Sequence, residues 1–193
     1  MRVITGTARG RALKTLDGLH TRPTAGKVKE AMFSILHFEL EGRRVLDLFA
    51  GSGQLGIEAL SRGARECVFV DNDRSAIAIV RDNVKKCGFE AQSQIVQGDY
   101  AGYLKRGEKF DIILVDPPYA DKLWKRTLEI AARFDTLNFG GIIVIESEAD
   151  DALPERVDTL VRGRVYGYGR TKLTVYTRSE EEDADDGDIS GQL

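Results

Sequence analysis

The stretch Val45-Leu-Asp-Leu-Phe-Ala-Gly-Ser-Gly-Gln-Leu-Gly-Ile-Glu-Ala-Leu-Ser-Arg62 constrains the fold more than any other part of the chain. A short apolar strand enters a turn with glycine at 51 and 53. The turn opens a helix whose Leu55, Ile57, Ala59 and Leu60 can pack back on a sheet. Glycine carries no Cβ and tolerates positive φ, so a ligand can lie directly on this loop, and unpaired N–H groups at the helix start can face a negative group.

The pattern admits two readings. Gly51-x-Gly53-x-x-Gly56 satisfies the dinucleotide fingerprint, and Asp71 stands 20 residues after Gly51, where an acid for ribose hydroxyls is expected. Against it, Asp47 lies inside the strand, and Phe49 and Ala50 separate the strand from the first glycine. A carboxylate at the mouth of the turn suits a ligand with an ammonium group better than a pyrophosphate. S-adenosylmethionine carries an ammonium, a carboxylate, a ribose and an adenine.

Beyond this unit, strand and helix periods alternate, which predicts a mostly parallel sheet covered on both faces. Strands are expected at 45–49, 66–71, 92–97, 110–115 and 141–146, and helices at 54–62, 73–87, 99–106 and 121–134. Residues 160–168 and 171–177 alternate around Gly167-Tyr-Gly-Arg170, as in a closing antiparallel hairpin. Upstream, residues 1–16 read as two short strands around a Gly6-to-Gly10 turn, marginal alone and so expected to dock. A helix follows from Thr24, its cap, to about Glu39, with Val28, Met32, Ile35 and Leu36 inward and Lys27 and Lys29 outside. The expected division is a basic hairpin-and-helix unit over 1–40, the main domain over 41–178, and a disordered acidic tail over 179–193.

Ligands of open parallel sheets bind beyond the carboxyl ends of the strands. Four consecutive strand ends here present an acid: Asp47, Asp71 (with Asn72 and Asp73), Asp99 (before Tyr100) and Asp116. Asp73 is better placed as a helix cap than as a ligand group. Asp116-Pro117-Pro118-Tyr119 is the sharpest signal, because two prolines fix the backbone and remove two N–H donors, leaving a rigid edge of acceptors. The Asp116 carboxylate and the Pro117 carbonyl can accept both hydrogens of a planar amino group, and Tyr119 offers a face to its ring. Holding both N–H bonds aims the nitrogen lone pair at a methyl donor, a contribution of orientation and electrostatics that needs no metal.

Charge adds a second theme. The net charge of −3 hides seven acids and no base in residues 179–193, leaving +4 over residues 1–178 and +5 over residues 1–44. A basic amino-terminal segment is the footprint of a nucleic-acid contact. Two isolated cysteines suggest neither a disulfide framework nor a metal site. No run approaches a membrane span and no secretory pattern opens the sequence, so the cytoplasm is the expected compartment.

In order and spacing, Val45 to Ala64, Asp71, Asp99 and Asp116-Pro-Pro-Tyr119 resemble a class I S-adenosylmethionine-dependent amino-methyltransferase. The opening Arg2-Val-Ile-Thr-Gly-Thr-Ala-Arg-Gly-Arg-Ala-Leu, then Thr21-Arg-Pro-Thr24 and the helix with Val28 to Leu36, resemble the bacterial small-subunit rRNA guanine-N2 methyltransferases, the RsmD family. The resemblance implies an α/β, Rossmann-like, seven-stranded methyltransferase sheet with a closing antiparallel hairpin. It implies a donor, S-adenosylmethionine, held by Asp47, Gly51 to Gly53, Asp71 and Asp99, with Phe49, Ala50, Asn72 and Tyr100 beside them. A flipped guanine of 16S rRNA, or of the assembling small ribosomal subunit, would sit against Asp116, Pro117, Pro118 and Tyr119. Arg2, Arg9, Arg11, Lys14, Arg22, Lys27 and Lys29 would hold phosphates, and the enzyme would act as a monomer. DNA adenine-N6 methylation uses the same four-residue motif and remains an alternative, as do a nicotinamide-dependent dehydrogenase and a non-catalytic RNA-binding assembly factor.

Overall fold

A computed structural model describes residues 1–16, 23–118 and 122–178. Arg22, Tyr119, the side chain of Thr24 and the acidic tail lie outside the described residues. The elements run α1 (Pro23–Ile35), β1 (Arg44–Asp47), α2 (Gln54–Ser61), β2 (Glu66–Asp71), α3 (Arg74–Cys87), β3 (Ser93–Gln97), α4 (Tyr100–Leu104), β4 (Phe110–Val115), α5 (Leu123–Arg133), β5 (Leu137–Glu148), β6 (Arg156–Val157), β7 (Leu160–Tyr168) and β8 (Thr171–Arg178). A single sheet holds the strands in the order β3-β2-β1-β4-β5-β8-β7-β6. β1 to β5 are parallel, and β8, β7 and β6 close the edge antiparallel.

The expected sheet is therefore present, with eight strands instead of seven because the two-residue β6 adds a short edge. β5 also begins earlier than its apolar run, at Leu137, since Asn138 to Gly140 continue the strand through residues that carry no alternating pattern. Side-chain alternation builds a core on each face. Val45, Ile112, Leu114 and Val144 face α1, α2, α3 and the amino-terminal arm, whereas Leu46, Ile113, Val115, Ile143 and Ile145 face α4 and α5.

Two expectations about the amino terminus need correction. Residues 1–16 form no ladder, only one antiparallel bridge between Arg2 and Ala12. Some remaining backbone groups are satisfied by the arm's own turns, as where Gly10 donates to the Val3 carbonyl, and others by a helix instead of a partner strand, which is how a short arm survives without a sheet. Ile4 and Thr5 donate their N–H groups to the Glu58 carboxylate at 2.8 and 3.0 Å, Ala8 donates to Ser61 Oγ, and Thr7 donates to the Ser61 carbonyl. Gly6 permits this approach, because a Cβ there would stand 1.7 Å from the Ser61 carbonyl oxygen. Val3, Ala8 and Leu13 are buried beneath the arm.

The second correction concerns Lys29, expected on the outer face of α1. It is 4% exposed and paired with Glu58 at 3.3 Å. The apolar face of α1 is wide enough (Val28, Met32, Phe33, Leu36) that Lys29 falls beside it, over the acid of α2. Burial pulls its pKa down to about 8 despite the neighbouring carboxylate.

Candidate active site

The strand order places the carboxyl end of β1 between those of β2 and β4, so the glycine turn, Asp71 and Asp116 converge on one edge of the sheet. The turn has Gly51 and Gly53 at φ of 54° and 76°, conformations that only glycine adopts without strain. Its open side is at Gly51, where a Cβ would meet nothing within 4 Å. Gly56 serves packing instead: a Cβ there would lie 2.2 Å from Phe69 and 2.6 Å from Cys67 Sγ, so helix and sheet touch at this residue. Asn83, buried on α3, donates to the Ser52 carbonyl at 2.9 Å and exchanges hydrogen bonds with the backbone of Lys14. The arm and the turn are thus linked through one side chain, which in the sequence is only a polar residue within a helix.

Two backbone donors that a pyrophosphate could use are already engaged by carboxylates. Gly51 N–H donates to Asp71 Oδ2 at 2.8 Å, and Gly56 N–H donates to Asp47 Oδ2 at 2.9 Å. One of these donors belongs to the loop and one to the first turn of α2, and both are held by the chain's own carboxylates, which disfavours a phosphate here. This geometry disfavours the dinucleotide reading of the glycine pattern and fits a ligand bearing positive charge.

Asp47 is 1% exposed and lies beneath the turn, not at its mouth as its position before the glycines suggested. Burial pushes its pKa up to about 7, and Asp71 adds to the rise against the Gly56 hydrogen bond and Lys29. Asp71, at the end of β2, spends one lone pair of each oxygen on Gly51 N–H and Asp73 N–H and retains acceptor capacity on both. Asp73 caps α3 through Ser75 N–H, as its position predicts. Asp99 caps α4 through Gly102 N–H at 2.9 Å and is exposed beside the cleft edge. Phe49 and Tyr100 stack with ring centroids 5.0 Å apart, giving the turn an aromatic wall. Ala50 is buried and donates to the Val70 carbonyl, while Asn72 is exposed.

Asp116 follows the last residue of β4. It is open to water on one side, and the recess around it is otherwise crowded with protein. That crowding, then Glu146 and Asp47, holds its carboxyl well above the usual range. Pro117 is buried and Pro118 exposed. Glu146 was given no role from sequence, and only the pairing of β4 with β5 reveals that it stands beside Asp116.

Arg2, Arg9, Arg11, Lys14 and Lys27 are exposed. Arg2 donates to the Gly10 carbonyl, Arg11 to the Lys86 carbonyl, and Lys14 pairs with Asp82 at 2.5 Å, so three of them are oriented by the arm and α3. Lys29 does not join them. Trp124 is buried, donating to Asp151 at 3.2 Å, and belongs to the core. Among the described residues no His, Cys, Asp and Glu cluster is placed to hold a metal, and no helix is long and apolar enough to cross a membrane.

Comparison with known proteins gives this edge of the sheet a context. The family model described as Conserved hypothetical protein 95 matches residues 1–177. YlbH of Bacillus subtilis is 42% identical over 182 residues, covering 92% of this chain and 99% of that one. Ribosomal RNA small subunit methyltransferase D of Escherichia coli is 30% identical over 188 residues, covering 96% of this chain and 93% of that one. The solved structure of the Escherichia coli methyltransferase yhhF superposes with a TM-score of 0.81 at 30% identity, over 92% of this chain and 97% of that one. On these matches the chain belongs to the Conserved hypothetical protein 95 family, the family of the ribosomal RNA small subunit methyltransferase D proteins.

Proposed function

We propose that this enzyme transfers a methyl group from S-adenosylmethionine to the exocyclic N2 amine of a guanine in small-subunit (16S) rRNA, acting in the cytoplasm on the rRNA or the assembling subunit. The observation that carries the reading is the adjacency of β1 and β4, which sets the glycine turn beside Asp116-Pro117-Pro118, where a donor on the turn would lie next to an acceptor.

The residues present suit such a donor. Asp71 has acceptor capacity for ribose hydroxyls, the open side of Gly51 admits a ligand against the backbone, and Phe49 with Tyr100 forms a wall for an adenine near Asp99. Asp47 supplies negative potential from below. When bound, the sulfonium supplies an electrophilic methyl group and leaves as a neutral thioether.

Asp116 and the Pro117 carbonyl accept the two N2 hydrogens, which directs the nitrogen lone pair toward the methyl carbon. A cationic ligand within about 4–6 Å favours the ionised form of a carboxyl, so donor binding draws Asp116 back toward the carboxylate that orients the amine best. As N2 gains the methyl carbon it sheds one proton, to Asp116 or to water. Tyr119 would offer a stacking face, and flipping a base out of a loop costs a few kcal/mol that stacking partly offsets. Arg2, Arg9, Arg11, Lys14 and Lys27, with Arg22, would contact phosphates.

The test is transfer of labelled methyl into undermethylated small subunits, naked rRNA and DNA in parallel, with Asp116→Ala as control. Label in rRNA recovered as N2-methylguanine, and lost in the variant, is the expected result. Label in DNA alone, or in none of the three despite donor binding, would overturn it.

A further inference from the structure

We propose that the β7–β8 hairpin is a second RNA-contact surface, in which Arg164 and Arg170 take phosphates and Tyr166 and Tyr168 take bases near the acceptor nucleotide; this rests on the methyl-transfer reading above. The strand pairings put the hairpin beside the site. Val115 stands opposite Ile145, so Asp116 is level with Glu146; Glu146 pairs with Leu173, and Leu173 with Tyr166. Tyr166 therefore lies on the rung of Asp116, three strands away at about 15 Å. Tyr168, opposite Thr171 and so level with Glu148, stands about 7 Å further out, beyond the edge on which Asp116 opens. Both tyrosines pack on the core that also carries α1 and the arm, so they share that face of the sheet. The arm is tied to α3 toward the β3 end and the hairpin occupies the other flank, with the site between them.

The fold uses some of the hairpin's cations and leaves others. Arg162 donates to the Leu153 carbonyl and pairs with Glu155, and Lys172 donates to the carbonyls of Ala149 and Asp151. Ala149 N–H in turn donates to the Arg170 carbonyl at 2.9 Å, so the tip is fixed against the end of β5. Arg164 and Arg170 are exposed, and among the described residues neither side chain has a hydrogen-bond or ion-pair partner. Tyr166 and Tyr168 are half-buried, and neither hydroxyl is bonded to another described residue. A Cβ at Gly167 or Gly169 would meet nothing within 4 Å, so no described part of the chain crowds the tip.

Protection of a sheet edge explains part of this pattern. β6 pairs with β7 at Leu160 and Val161, leaving Gly163 to Tyr168 as an outer edge among the described residues, and charge with the bulge between Arg162 and Val165 keeps another strand from adding there. That need does not call for two tyrosines on one face, two residues apart, with glycine between them and an unpaired arginine on either side. Single-stranded RNA does: its phosphates take guanidinium groups and its bases stack on aromatic faces. An acidic protein segment would use the arginines and leave the rings idle. Because the tip is held by β5 and the loop after it, the surface is formed before RNA arrives, at a distance from Asp116 that a few nucleotides of one strand can bridge.

The probe is 16S rRNA, naked and in undermethylated small subunits, offered to the full chain; the form that the wild-type protein binds more tightly is used throughout. The double variant Arg164→Ala, Arg170→Ala is expected to bind it about tenfold or more weakly and to lower the slope of log affinity against log salt by about 1 for each arginine. Tyr168→Ala is expected to cost about tenfold, and Tyr168→Phe, which keeps the stacking face, little. Tyr168→Leu takes the place of the alanine variant if that one does not fold. Donor affinity and kcat at saturating RNA should stay at the wild-type level. Lys105→Ala, an exposed cation at the end of α4 on the opposite face, should leave RNA affinity near wild type. A double variant with wild-type affinity and salt slope, an equal loss at Lys105→Ala, or Tyr168→Phe as weak as the alanine variant would overturn the surface while leaving methyl transfer intact. A wild-type protein whose RNA binding depends on the hairpin but which labels no guanine would overturn the parent reading instead.

Discussion

Glu58 of α2 and Lys29 of α1 face each other 3.3 Å apart with almost no exposure, and the same carboxylate accepts the N–H groups of Ile4 and Thr5 and pairs with Arg62. One side chain therefore joins α1, α2 and the amino-terminal arm. Removing one partner of a buried pair leaves an uncompensated charge, at a cost of about 3–5 kcal/mol. Glu58→Gln is expected to destabilise the fold by that order in urea denaturation and to expose the arm to protease. Adding Lys29→Met should recover part of the loss, because no buried ammonium then lacks its acid.

Gly56 is where α2 meets β2, with a virtual Cβ 2.2 Å from the Phe69 ring. Overpacking of a tight core costs about 1–3 kcal/mol or more, while alanine's helix propensity returns about 1 kcal/mol. Gly56→Ala should lower the urea midpoint, and Gly88→Ala, at a helix end with φ of 77° but open space, should cost less. Equal effects at both positions would argue against the close approach.

Burial raises the folded-state pKa of Asp47 to about 7 from its ordinary value of 3.8. A raised acid binds its proton more tightly in the folded state, so between about pH 4 and 7 the unfolded chain holds fewer protons and stability falls as pH rises. The expected slope from this group is about −1.4 kcal/mol per pH unit across that window. Asp47→Asn should flatten the fall in a series of urea titrations from pH 4 to 7. A variant curve parallel to the wild type would place the proton elsewhere.

The strands and helices were legible because apolar runs of β2, β4 and β8 are bounded by glycine, proline and charge, and because Asp73 and Gly88 cap α3 at both ends. Asp116-Pro-Pro and the glycine turn were legible since each is contiguous. Glu58, Asn83 and Glu146 were not, since each draws its meaning from a partner 29 to 69 residues away that only tertiary packing supplies, and Lys29 read as surface because charge alone outweighs spacing in a single sequence. The same limit applies to Asp47, whose place in the strand was clear but whose depth under the turn was not.

Asp71 and Asp116 end neighbouring parts of one sheet edge, yet their surroundings assign them separable tasks. Asp71 supports the turn through Gly51 and, on the proposed function, would accept from a donor ribose, so Asp71→Asn removes the charge and leaves one of two backbone N–H groups facing an amide donor. Donor affinity should fall by about tenfold or more, matching the loss of one or two hydrogen bonds to a charged acceptor. At saturating donor, kcat should change little. Among the described residues Asp116 makes no hydrogen bond to the turn, and it sits in the crowded recess with Glu146, so Asp116→Asn should leave donor affinity near wild type. Its kcat should fall by about 100-fold or more, since the amine loses its oriented anionic acceptor. Calorimetric titration of donor alongside steady-state methyl transfer separates the two. If both variants lost donor binding and turnover equally, the division of the edge into a donor half and an acceptor half would be wrong.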